Sequence, residues 1–311
     1  VKSLAVGRFR LSQEPEKGMI AQAIGLIRTM RVRQWIKNGF IFVPLVFDRK
    51  LTDLMYVSRA VAGFFLLCLV TSAVYIINDL VDIEADRAHP TKRRRPLPSG
   101  ALSPIVATVA AVLLLLVSLP LALALNPVFA AILAGYLLLQ IAYSFYLKHV
   151  VLLDVMALAA GYLLRVGAGA ELIEAERFSP WLYIFTGMLA LFLGIAKRRQ
   201  ELVLLADNEN KQRAILDEYD IGLLDEMILI VTASTVLTYA LYTFSAEGLP
   251  PNHTMMLTIP FVVYGIFRYL FLIHVRGEGG APDEVILKDR PLQIAVLLWG
   301  FAVILVLYVL A

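Results

Sequence analysis

Hydrophobic positions in this chain gather into long uninterrupted runs bounded by charge, proline or glycine. A bilayer core takes about 20 apolar residues of helix. On that measure about nine segments qualify, near residues 32 to 47, 57 to 77, 104 to 125, 127 to 147, 151 to 169, 180 to 196, 224 to 245, 254 to 273 and 291 to 310. The first is the least apolar, because Arg33 and Lys37 stand in its opening turns and must reach the interface. The pattern predicts an all-α polytopic membrane protein with about nine transmembrane helices.

Composition agrees: 59% of residues are hydrophobic and 17% charged, against roughly 45 to 50% and 25% in soluble domains. Residues 1–24 carry scattered charges, no unbroken apolar core and no small-residue cleavage site, so they read as a cytosolic arm rather than a cleaved signal. Residues 25–311 hold all of these spans and read as one transmembrane domain. Cys68 is the only cysteine and lies in an apolar run, which points to a buried structural thiol. Lysines and arginines are divided unevenly. With the N-terminus inside, 22 fall on the inner side and four, Arg49, Lys50, Arg59 and Arg177, on the outer. That places a multi-pass chain in the cell inner (plasma) membrane with its N-terminus and polar loops in the cytoplasm. The basic side suits membrane lipid headgroups or phosphorylated substrates. No soluble nucleic-acid module is present.

Two inner connections are long, 78 to 103 and 197 to 223, and their spacing suggests two four-helix halves that each offer a polar loop to a shared site. The first begins NDLVDIEADRAHPTKRRRP. On a helix continued from the second span, Asp79, Asp82 and Asp86 are spaced by three and four, and Asn78 stands one turn before Asp82, so the group shares one face while Glu84 points elsewhere. Three gathered carboxylates repel one another unless a cation joins them, and oxygen-only ligands favour Mg²⁺ shared with substrate phosphates. The competing account is a solvated helix end that neutralises nearby Arg and Lys. Pro90 should end the helix and fold the chain back over the acids. The run Lys92 to Arg95 is either a positive-inside anchor or, through at least one side chain, a phosphate grip.

Asn78-Asp79-x-x-Asp82-x-x-x-Asp86-Arg87, continued by AHPTKRRRPLPSG, resembles the first aspartate-rich motif of the UbiA superfamily of intramembrane prenyltransferases. The resemblance implies nine helices around a central cavity, with Mg²⁺ between aspartates Asp79, Asp82 and Asp86 and a substrate diphosphate, and it extends over residues 25 to 311. Where aromatic prenyltransferases of this superfamily carry a second acidic motif, this chain reads AKRRQELVLLADN. Acids occur later, at Asp207, Asp217 and Asp220, without the expected placement. That segment, with RVRQWIKN (31 to 38), YSFYLKHVVLLD (143 to 154) and GYLLRVGAGA (161 to 170), is similar to the decaprenyl-phosphate phosphoribosyltransferase branch, which implies phosphoribosyl pyrophosphate as donor and a polyprenyl phosphate as acceptor.

Such a donor carries a diphosphate for a metal and a 5-phosphate that calls for Lys or Arg. Lys197 and Arg198 are the candidates for the 5-phosphate, with a helix-end anchor as the alternative. Lys37 and Asn38 are expected to line the cavity, Lys37 otherwise snorkelling, and Arg87, Lys92, Arg95 and Lys148 to meet phosphate or act as anchors. Arg165 lies within an apolar span and needs a partner, either Asp154 or a substrate phosphate. Arg268 is also intramembrane and is expected to snorkel; His253 and His274 lack ligand spacing. Two other functions compete: prenyl transfer from a prenyl diphosphate to an aromatic ring, and non-enzymatic transport of Mg²⁺ or organic anions. The oligomeric state is left open, a homo-oligomer included.

Overall fold

In a computed structural model, residues 18–175, 178–206, 216, 218–278 and 282–310 are described. Residues 1–17 of the arm, Arg177, and Asp207, Lys211, Arg213 and Asp217 of the second long loop lie outside them. Among the described residues every regular element is helical: α1 (Met19–Thr29), a 3₁₀ stretch (Val32–Phe42), α2 (Val43–Phe47), α3 (Leu54–Val81), α4 (Ile83–Ala88), α5 (Pro104–Leu125), α6 (Pro127–Phe145), α7 (Leu153–Leu172), α8 (Pro180–Ala206), α9 (Ile221–Ser245), α10 (Ile259–His274), α11 (Pro282–Lys288) and α12 (Arg290–Tyr308), with short 3₁₀ turns between. Local chemistry sets many boundaries. Pro104 and Pro127 occupy first-turn positions where no amide donor is needed. Asn126 ends α5 and caps α6, its side chain accepting from the Phe129 amide at 2.8 Å. Asp53, Asp220 and Asp289 cap α3, α9 and α12 in the same way.

Among the described residues, eight helices are long and apolar enough to cross a bilayer. Several expose broad apolar faces: Ile105, Leu113 and Leu116 on α5, Leu138 on α6, Leu297 and Phe301 on α12. Surfaces of this kind are stable only against lipid, and the chain is a multi-pass membrane protein.

The segment expected as the first span differs. Residues 32–47 form no single α-helix but an 11-residue 3₁₀ stretch followed by the five residues of α2. At about 2.0 Å rise per 3₁₀ residue and 1.5 Å per α residue, the pair reaches about 30 Å, the thickness of the hydrocarbon core. The contacts agree. At one end Arg31 donates to Asp79, near the end of α3; at the other the Tyr308 hydroxyl donates to the Val46 carbonyl at 2.9 Å, and Lys50 donates to the Ile173 carbonyl at 2.8 Å. Fewer residues make the crossing because the tighter helix rises faster.

This crossing is packed between α3, α6 and α7, with Ile41, Leu67, Phe129 and Leu172 in one apolar cluster. A second cluster joins α8, α9 and α10 through Phe192, Ile195, Leu224 and Ile273. The 3₁₀ backbone lies so close to α7 that a Cβ on Gly169 would collide with the Ile41 carbonyl. Gly169→Ala is therefore expected to cost about 1 to 3 kcal/mol, seen as a lower thermal midpoint of the purified protein in detergent. An unchanged midpoint would contradict the close approach. Cys68 is buried.

α1 starts ahead of the boundary expected between residues 24 and 25. Gly25 abuts Leu102 and Pro96, and the Gln22 side chain accepts from the Ser103 amide at 3.0 Å, so the helix packs on the segment after the basic run.

Candidate active site

The acids stand where α3 leaves the apolar region, but not on one continuous helix. α3 stops at Val81, Asp82 has φ −89° and ψ 7°, and α4 restarts at Ile83. The expected single face of Asp79, Asp82 and Asp86 is thus broken at its middle member. Asp79 and Asp86 are buried and share one cation: Arg95 Nη1 lies 3.3 Å from Asp79 and 2.7 Å from Asp86. Asp82 turns instead to Lys148, whose Nζ donates at 2.8 Å, and the Asn78 amide donates to its other oxygen at 3.3 Å. Glu84 faces away and pairs with Arg87 at 2.7 Å on the exposed surface.

α4 ends at Ala88, because the residue before Pro90 takes an extended conformation: His89 has φ −83° and ψ 134°. The chain then turns back over the acids as expected. His89 Nδ1 accepts from the amides of Thr91 and Lys92, Lys92 Nζ reaches Asp86 at 3.7 Å, and Arg95 reaches both buried acids.

One participant was not among the expected site residues. Arg31, in the left-handed conformation (φ 52°), donates to Asp79 at 2.6 Å and lies over the Tyr75 ring at 4.7 Å. The Tyr75 hydroxyl donates to Gln34 at 2.7 Å, and Lys37 contacts the same Gln34 oxygen at 3.5 Å. RVRQWIKN holds Arg31 and Gln34 one 3₁₀ turn apart, but nothing in that stretch marks it as 3₁₀ rather than α-helical.

Two other expected assignments change. Arg198 is buried, donating to Asp154 and to Glu201 at 2.5 Å each and to the Tyr143 hydroxyl at 3.3 Å. With two carboxylates on its guanidinium and almost no exposure, it is the centre of a buried polar network. The Tyr219 hydroxyl donates to the same Asp154 at 2.7 Å and accepts from the Leu152 amide. Burial pushes this phenol up to about 12, so it stays a donor across the working range. Asp154 is consequently not the partner of Arg165. Arg165 instead donates to Asn38, the Gly161 carbonyl and the Tyr136 hydroxyl. Asn38 is fully buried and also donates to Cys68 and Thr71. Lys197 lies 3.9 Å from Glu201 and is more exposed than Arg198. Arg199 pairs with Asp225, which His274 also contacts at 3.2 Å. Arg268 bonds Asp289 at 3.1 and 2.8 Å instead of snorkelling.

The acids suit a divalent cation in one respect and not another. Asp79 and Asp86 are all-oxygen ligands already converging on a single positive nitrogen. Among the described residues, however, no three Asp, Glu, His or Cys side chains stand close enough to hold a metal unaided. That matches Mg²⁺, which is commonly held by one or two carboxylates and completed by water and substrate phosphate.

Similarity to known proteins follows the same lines. The sequence model of the UbiA prenyltransferase family matches residues 48–278. A decaprenyl-phosphate phosphoribosyltransferase of Corynebacterium glutamicum is 33% identical over 310 residues, covering 96% of this chain and 90% of that protein. One from Mycolicibacterium smegmatis is 34% identical over 298 residues, covering 92% of each. In fold, the chain is similar to a UbiA homolog from Archaeoglobus fulgidus bound to GPP and Mg²⁺, with a TM-score of 0.69, 21% identity, and 90% of this chain and 99% of that one aligned. With the family match spanning most of the chain and the acids gathered where α3 ends, the protein belongs to the UbiA prenyltransferase family.

Proposed function

We propose that this enzyme transfers the 5-phosphoribosyl group of phosphoribosyl pyrophosphate to a polyprenyl phosphate, decaprenyl phosphate in the relatives' case, and releases pyrophosphate. The observation that carries this reading is the end-to-end similarity to proteins named for that reaction. It includes the KRRQE stretch, where cations replace a second acidic motif. In the reaction the acceptor phosphate oxygen forms a bond to ribose C1 while the bond from C1 to the pyrophosphate oxygen breaks, and the electron pair leaves with pyrophosphate. The acceptor is already ionised near neutral pH, so no strong general base is required.

Stabilising the departing charge is then the main task of the protein. Asp79 and Asp86 would hold Mg²⁺ against the pyrophosphate, which the ion neutralises when bound. Arg31, Lys92 and Arg95 border the same acids, and Lys148 stands across at Asp82. These cations can exchange a carboxylate for a phosphate oxygen without leaving the site, so the resting ion pairs keep both charges compensated until substrate arrives. The division of lysine and arginine, 22 against four, supports a cytoplasmic position for this end and an inner-membrane location.

Purified protein supplied with Mg²⁺, phosphoribosyl pyrophosphate labelled in the ribose and a polyprenyl phosphate should place label in the lipid phase. No lipid-linked label across several chain lengths, together with activity on a prenyl diphosphate and an aromatic acceptor, would overturn the proposal in favour of prenyl transfer.

A further inference from the structure

Two arginines are buried in the described part of the molecule, Arg198 at 1% exposure and Arg165 at 6%. Their surroundings differ in one respect. Arg198 is balanced by the carboxylates of Asp154 and Glu201. Among the described residues Arg165 has only neutral partners: Nε donates to the Asn38 side-chain oxygen at 2.9 Å, Nη1 to the Gly161 carbonyl at 2.9 Å and Nη2 to the Tyr136 hydroxyl at 2.8 Å. The guanidinium also lies over the rings of Tyr136 and Tyr162, at 4.8 and 5.2 Å. Dipoles and ring faces orient a cation but leave its charge in place, and an unbalanced charge inside a membrane protein is costly unless a counter-charge is supplied.

Three bonds account for three of the five guanidinium donors, so two N–H groups remain. The Gln140 side-chain nitrogen lies near the same point, 3.2 Å from where a Cβ on Gly161 would stand, with Arg165 Nη1 at 3.3 Å. The absence of a side chain at Gly161 leaves that ground to the two polar groups. Asn38 links the cluster to Thr71, eight residues before Asp79 on α3, which is about 12 Å at the rise of an α-helix. The cluster therefore lies deeper in the bundle than the carboxylates and apart from the acids that would take the pyrophosphate.

We infer that Arg165 is the receptor for a phosphate monoester, whose dianion supplies the counter-charge that the protein omits. This rests on the proposed phosphoribosyl transfer, in which two monoesters occur: the 5-phosphate of the donor and the phosphate of the acceptor lipid. Both are dianionic near neutral pH and both accept a guanidinium fork.

Asn38→Asp tests the inference with little change of shape, because it places a carboxylate on the Arg165 Nε at the position where the amide oxygen now accepts. Binding of ribose 5-phosphate, of farnesyl phosphate and of Mg²⁺ with inorganic pyrophosphate is measured by titration calorimetry on the full chain in detergent. The wild type is expected to bind at least one monoester. Asn38→Asp should weaken that one about 10- to 100-fold, the range for a charge-assisted bond, while pyrophosphate affinity and thermal midpoint are maintained. The affected monoester identifies the source. If Asn38→Asp does not fold, Arg165→Met replaces it in the same comparison, with the same expected loss. Unchanged affinity for both monoesters in the folded variant would overturn the inference while leaving phosphoribosyl transfer intact. Failure of the wild type to bind either one, with no labelled lipid in the transfer assay, would remove both.

Discussion

Asp79→Asn should lower phosphoribosyl transfer about 100- to 1,000-fold while leaving the protein folded. The size follows from what the side chain does at the proposed site: it is one of two buried carboxylates on a shared cation, and losing one preorganised electrostatic contact to a departing charge typically costs that much. The loss is larger than a simple missing hydrogen bond because the substitution also alters Arg31 and Arg95, both of which meet Asp79 Oδ1.

Stability should change little. Asparagine has nearly the same volume and its oxygen still accepts from Arg31. The arginines themselves are partly exposed, 24% for Arg31 and 31% for Arg95, and Arg95 keeps Asp86. Because both arginines keep solvent contact, removing the negative charge at Asp79 strands no buried cation. The experiment therefore measures labelled lipid formation at saturating donor and acceptor beside the thermal midpoint. Turnover within tenfold of the wild type, at an unchanged midpoint, would remove Asp79 from the chemistry; a collapsed midpoint would make its role structural.

What could be read in the sequence depended on whether the determining contact was local. The limits of α5 and α6 were legible because Pro104, Asn126 and Pro127 act within one turn of themselves. The return of the chain over the acids was legible for the same reason: Pro90 constrains the residue before it. The 3₁₀ crossing was not, since the apolar run of 32 to 47 has the composition of a short span and nothing in it shows a faster rise per residue. The interruption at Asp82 was hidden too. No proline or glycine marks it, and the side chain there is held by Lys148, 66 positions along the chain. Arg198 shows the limit most plainly. In the run KRRQE it looks like a helix-end cation, while one of its two carboxylates is 44 residues away on α7. Asp154 shares a helix with Arg165, yet the cation it meets is Arg198 on α8.

The network around Arg198 should carry the largest single contribution to stability among these polar contacts. Arg198→Met leaves Asp154, at full burial, without its cation, while Glu201 keeps Lys197 at 3.9 Å, and breaking a buried pair from the cationic side costs about 3 to 5 kcal/mol. Asp154→Asn should cost less, about 1 to 3 kcal/mol, because Glu201 still balances the guanidinium and the new amide keeps one oxygen for Arg198 or Tyr219. The order of the two variants is the test, read as thermal midpoints in one detergent. Equal midpoints would mean that Glu201 does not balance Arg198 once Asp154 is neutral. A smaller loss for Arg198→Met than for Asp154→Asn would mean that the guanidinium is the strained partner, and would return Arg198 to the group of cations available for a phosphate. If the order holds, the network acts as a fixed joint between the start of α7, the end of α8 and the residues ahead of α9.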